Sequence, residues 1–276
     1  MPMSLSELFT RAPVVPVLRF DGVIGAGMRP GPKGLALKDL AGPIERAFSW
    51  RGARAVALAI NSPGGAPVQT ALIAGRIRQW AKEKNMPVFA FVEDVAASGG
   101  YWLALAADEI WADASSVVGS IGVVAAGFGL QDMIAKLGIE RRVHAQGERK
   151  AMLDPFRAEK PDEVARLDRL MAEIHETFKA EVRARRAGKL KVAEAELFEG
   201  DVWTGRRAVE LGLVDGLGDV RTVLRGRFGD KVKLPVIQRH KGWLRGRLGL
   251  AADPAGQAEA LLAALEERLA WARYGL

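Results

Sequence analysis

The sequence contains no cysteine, three histidines (His144, His175, His240) and two tyrosines. Without cysteine there are no disulfides, no thiol nucleophile and no thiolate metal ligands. Three scattered histidines do not make the clustered imidazoles of a catalytic zinc centre, so neither a metal nor another cofactor is expected. No stretch approaches the roughly 18 consecutive apolar residues of a membrane-spanning helix. The apolar run from Val95 to Ala107 is too short and is broken by Ser98-Gly-Gly100. Residues Met1 to Arg11 lack the charged-then-apolar order of a signal peptide, so the cytoplasm is the expected location.

What is present is the composition of a globular protein. Of 276 residues, 49% are hydrophobic and 26% charged, enough for one large domain with appendages. The net charge is +7, concentrated in Arg183 to Lys191 and in Gln238 to Arg247. A solvated basic face accounts for such runs. The competing reading of the second cluster is peripheral contact with an anionic membrane surface, at the inner face of the cell membrane. No nucleic-acid partner is expected.

Between residues 13 and 125, short β-rich runs alternate with helical periods, the pattern of an α/β domain. Val14 to Phe20 reads as a strand, followed by an Asp21-Gly22 hairpin turn before Val23-Ile24. Ala55 to Ile60 and Val88 to Val92 read as buried strands. Val68, Leu72, Ile77 and Trp80 give the helical spacing of a crossover between them. Further apolar pieces follow at Glu109 to Ala112, Val117-Val118 and Ile121 to Ala125. Leu130 to Leu137 reads as helical, and Ile139 to Ala145 alternates like a strand. A long helix begins at Pro161, with Val164, Leu167, Met171, Ile174, Phe178 and Val182 on one face. Thr204 and Gly212 are the expected cap and stop of a short helix. The division expected is an extension over 1–12, a catalytic domain over 13–237, and a basic linker with an amphipathic helix over 238–276. That helix carries Ala258, Leu261, Leu262, Leu265 and Leu269 on one side.

Two small-residue turns carry the chemistry. Asn61-Ser-Pro-Gly-Gly65 and Asp94-Val-Ala-Ala-Ser-Gly-Gly-Tyr-Trp102 each end an apolar run, and the second opens a helix. Such a turn projects Ser98 outward, while bare glycine amides let a substrate carbonyl approach. A serine hydroxyl is a poor nucleophile until a base takes its proton. His144 lies at the polar phase of its alternating segment, which favours an exposed or supporting role. A lysine amine held neutral is the other candidate base, and Lys150, just after that segment, is the one its position suggests. Surface solvation remains the ordinary role of any lysine.

Taken together and in order, Asn61-Ser-Pro-Gly-Gly65, Ala96-Ala-Ser-Gly-Gly-Tyr101, Val118-Gly-Ser-Ile-Gly-Val123 and the Lys150 segment resemble the bacterial signal peptide peptidase A family and its SohB-type relatives. The similarity covers roughly residues 13 to 226. It implies a Clp-protease/crotonase-like α/β fold, a stacked β-sheet core with flanking helices. It also implies a Ser/Lys dyad of Ser98 as nucleophile and Lys150 as general base. By the same resemblance, Gly65 and Gly99 supply the oxyanion amides, with Gly64 competing for the first place, and Ser120 helps hold the lysine amine. Short or unfolded peptides become the expected substrates, and a ring-like homo-oligomer the expected assembly, with serine and lysine meeting across a subunit contact. Two other readings share the fold: crotonase-type acyl-CoA chemistry, with Glu93 or Glu148 as the acid or base, and a non-catalytic peptide-binding scaffold.

Overall fold

A computed structural model describes residues 12–25, 34–147, 149–237 and 268–275. Its centre is a pair of parallel strands, β2 (Val56–Ser62) and β3 (Val88–Ala97), joined by helix α2 (Pro67–Lys84). Strand β2 is buried on both faces, which is why its sequence is a continuous apolar run rather than an alternation. Val56, Leu58 and Ile60 join the larger core cluster, and Ala57 and Ala59 the smaller one across the sheet. Strand β1 (Val17–Asp21) pairs parallel to β2 and is flanked by β8 (Val236–Ile237). Helix α1 (Leu37–Phe48) packs on the larger cluster through Leu40, Ile44 and Phe48.

Strand β3 is where the sheet divides. Its first half, Phe89 to Val92, pairs with β4 (Glu109–Ala112). Its second half, Val95 to Ala97, pairs with β5 (Val117–Gly119), so one strand belongs to two branches. The β2–β3 register shifts between Ile60 and Ser62, where the division begins. Such an irregularity bends a strand and re-aims the residues beyond it. Those residues are the two glycine turns. Strand β6 (Val202–Thr204) continues one branch by antiparallel pairing with β5, and β7 (Gly216–Leu217) continues the other beside β4.

Helices α3 (Gly99–Ala104), α4 (Gln131–Lys136), α5 (Pro161–Arg185), α6 (Glu194–Leu197), α7 (Gly205–Leu211) and α8 (Val220–Phe228) complete the described elements. In α7 the Thr204 hydroxyl caps the Arg207 amide, and Gly212 stops the helix in the left-handed region. A charged knot ties the end of α5 to this part of the chain. Arg186, 2% exposed, donates to Asp215 at 2.7 Å and twice to the Gly212 carbonyl. Lys189 and the Ile110 amide also donate to Asp215. Burial opposes ionisation of this carboxyl, but those hydrogen bonds outweigh it and hold Asp215 below the usual carboxylate range.

Several expectations are corrected. Strand β1 starts at Val17, because Pro16 has no N–H to donate to the ladder, although Val14 makes isolated bridges. No hairpin follows Asp21-Gly22: Ile24 instead bridges Leu35 and Gly65 in parallel. In α2 the buried face is Thr70, Ile73, Ala74, Ile77 and Ala81, while Val68 and Leu72 are exposed. Ile121 to Ala125 is not a strand; its first residue is buried and the rest borders a cavity. Ile139 to Ala145 is exposed coil, since among the described residues no neighbouring strand supplies its hydrogen bonds. The linker expected at Arg239 to Pro254 lies outside the described residues, as do residues 1–11 and most of the final helix. Among the described residues no helix is long and apolar enough to cross a membrane.

Candidate active site

Ser98 sits between the last residue of β3 and the first of α3, with φ 51° and ψ −121°. A non-glycine residue rarely holds such a backbone, and the strain costs on the order of 1–3 kcal/mol. Hydrogen bonds from its amide to the Gly119 carbonyl and from the Trp102 amide to its own carbonyl fix the turn on both sides. The result is a half-buried serine on a sharp strand-to-helix bend.

The surrounding small residues are a packing requirement. A Cβ on Gly100 would stand 2.4 Å from the Ser62 carbonyl oxygen, so helix α3 rides directly on β2. One on Gly64 would stand 2.8 Å from the Ser98 Cβ. Gly65, at φ 140°, is pressed against Ile24, where a Cβ would come within 2.0 Å of a carbonyl oxygen. The bridge to Ile24 uses the Gly64 carbonyl and the Ala66 amide, leaving the Gly65 amide outside that pairing. That amide lies 3.3 Å from where a Gly99 Cβ would be, so the two candidate oxyanion glycines are neighbours.

Ser98, Gly64, Gly65 and Ser120 line one cavity of about 660 Å³. Ser120 also has a positive φ, 53°, and its amide donates to the Asp201 carbonyl. The opposite wall is apolar: Leu167, Leu170, Met171 and Ile174 of α5, with Val123 and Val124. Three of those α5 residues were expected as a core stripe; only the later Phe178 and Val182 are core. The sequence reading missed Ser62, whose hydroxyl accepts from the Gly64 amide, and buried Thr70, whose hydroxyl lies where a Gly99 Cβ would intrude. Helical phase of α2 placed Thr70 on the face of Ile73 and Ile77, which was a usable signal. His175 reaches the Ile121 carbonyl at 3.2 Å and steadies the turn after Ser120.

Lys150 is not brought to Ser98 within the chain. It lies exposed in a turn closed by its amide on the Gly147 carbonyl, and it does not line the cavity. Neither lysine nor histidine occurs among the described residues that do. His144 is exposed as well. Glu93 is held by Arg19 at 2.7 Å and is absent from the cavity wall, although burial raises its pKa. Glu148 lies outside the described residues.

A strained serine next to Gly99 and close to the Gly65 amide, on a cavity with an apolar opposite wall, is an arrangement chemically suited to acyl transfer. The sequence profile described as Peptidase family S49 matches residues 80–228, and the chain belongs to that family. A Synechocystis protein named as a protease is 33% identical over 229 residues, 80% of each chain. An Enterococcus faecium protein named as a signal peptide peptidase is 31% identical over 165 residues, 60% of this chain and 47% of that protein. A Brucella abortus protein named Na(+)/H(+) antiporter NhaA is 52% identical over 275 residues. That alignment takes in 95% of this chain, which spans only 37% of the length of the Brucella protein.

Proposed function

We propose that the chain is a serine endopeptidase that cleaves short or unfolded peptides in the cytoplasm, with Ser98 as nucleophile. The observation that carries this reading is the strained Ser98 turn, which lines one cavity with Gly64 and Gly65 while Gly99, the next residue, lies against the Gly65 amide. Family membership supports the reaction class. The antiporter name attached to the Brucella relatives finds no counterpart in the described residues, none of whose helices could span a bilayer.

The base is Lys150 of a second copy of the chain. Two features support this. Lys150 is exposed and away from the cavity wall, and the stretch from Val124 to Ile139 exposes several large apolar side chains. Phe128 is 85% exposed, and Val124, Leu137 and Ile139 lie open on the same stretch. Covering that stretch with a second copy would bring its Lys150 turn into an assembly of the ring type.

In this mechanism a peptide enters extended and pairs with the backbone of Pro63 to Gly65. The free Lys150 amine takes the Ser98 proton as Oγ attacks the scissile carbonyl. The Gly65 and Gly99 amides hold the oxyanion. Lys150 then returns its proton to the leaving amine as the peptide C–N bond breaks, leaving an acyl-Ser98. Water, deprotonated by the same amine, attacks the ester and releases Ser98. A fluorophosphonate probe tests the assignment: it labels the wild type at Ser98 and fails on Ser98→Ala. Labelling that persists in the variant contradicts it.

A further inference from the structure

Residues 268–275 cross the cavity of the candidate active site. Ala270, Arg273 and Tyr274 line it together with Ser98 and Ser120. The Tyr274 hydroxyl reaches two groups, the Pro63 carbonyl and the Ser120 Oγ, each at 3.5 Å. Pro63 stands on the Asn61 to Gly65 turn and Ser120 on the Gly119 to Gly122 turn, so one side chain links two of the turns that line the cavity. Residues 268–272 are helical, and the half-buried positions are Ala270, Trp271 and Tyr274. Leu269, part of the apolar stripe read from the sequence, points to solvent at 67% exposure. The segment therefore meets the cavity through Ala270, Arg273 and Tyr274 and not through Leu269.

We propose that residues 268–275 are an autoinhibitory cap, displaced when a peptide substrate binds. This rests on the reading of Ser98 as the nucleophile. A substrate that adds as a strand needs the backbone groups of the Pro63 to Gly65 edge, and Tyr274 occupies the Pro63 carbonyl. The carbonyl can accept a second hydrogen bond, but the Tyr274 side chain lies in the cavity beside that edge, where the substrate backbone would have to lie. The latch is weak by construction, because 3.5 Å is the long limit of a hydrogen bond and a phenol has one proton for two acceptors. A cap of this kind lowers the apparent affinity for substrate by the fraction of molecules that are open.

The test compares full-length wild type with Tyr274→Ala. Fluorophosphonate labelling of Ser98 is expected to be about three- to tenfold faster in the variant, with peptide KM lowered and kcat little changed. Should Tyr274→Ala lower the melting temperature, Tyr274→Phe, which keeps the ring, is judged by the same ratio. A ratio near one in a folded variant overturns the cap and leaves Ser98 as nucleophile. Absence of labelling in both proteins overturns the Ser98 reading and the cap with it.

Discussion

Gly64 is packed against Ser98 so closely that a methyl group on it would stand 2.8 Å from the serine Cβ and 2.9 Å from the Gly99 nitrogen. Two turns more than thirty residues apart in the chain thus form one surface. The glycine at position 64 sets how closely Ser98 and the Gly99 amide pack against the first turn.

Gly64→Ala is therefore expected to damage activity more than folding. Its φ of 110° disfavours any side chain, and the added methyl displaces Ser98 or the Gly99 amide. Misplacement by about 1 Å costs on the order of 10²-fold in rate. Measuring kcat/KM beside the melting temperature checks this; near-wild-type turnover would show that the contact is slack.

Asp215→Ala should act on stability and leave the site's chemistry alone. It strands Arg186, whose side chain is 3% exposed, without its carboxylate. Breaking a buried pair of this sort costs about 3–5 kcal/mol. Urea unfolding of the variant measures it.

The same carboxylate gives the wild type an acid limit. Asp215 has a lowered pKa in the fold, so its contribution is complete above the ordinary aspartate range of about 3.9 and is lost as pH falls through and below it. Melting curves across that interval should steepen in wild type and flatten in Asp215→Asn.

The sheet was largely legible because its strands obey simple chemistry. Ala55 to Ile60 is apolar throughout since both faces of β2 are covered, and Thr204 with Gly212 bounds α7 through capping. The division of β3 was not legible: a strand that changes partners at Glu93-Asp94 looks in sequence like a strand that ends there. Ile139 to Ala145 misled for the opposite reason, carrying a strand's alternation with no partner strand among the described residues. The turns around Ser98 and Gly65 were legible as small-residue turns, whereas the parts given to Gly65, Gly99 and Ser120 came from the family resemblance; the cavity is lined by Ser98, Gly65 and Ser120. Tyr274 escaped notice because a leucine stripe dominated its helix, and nothing local tells that an aromatic residue will cross to a turn some two hundred positions earlier.

If a lysine amine is the base, turnover should climb from acid towards mildly alkaline pH as the free amine accumulates. A profile flat over that span would point to another base. Lys150→Ala should abolish most turnover without lowering the melting temperature, since its side chain is exposed.

The most direct measurement mixes two inactive proteins. Ser98→Ala and Lys150→Ala, co-assembled in equal amounts, should regain about a quarter of wild-type peptidase activity, because half of the sites keep the serine and half of those meet an intact lysine from the neighbour. Recovery to that level supports a dyad built across two copies. A mixture as inactive as its components, in oligomers shown to contain both, would contradict it.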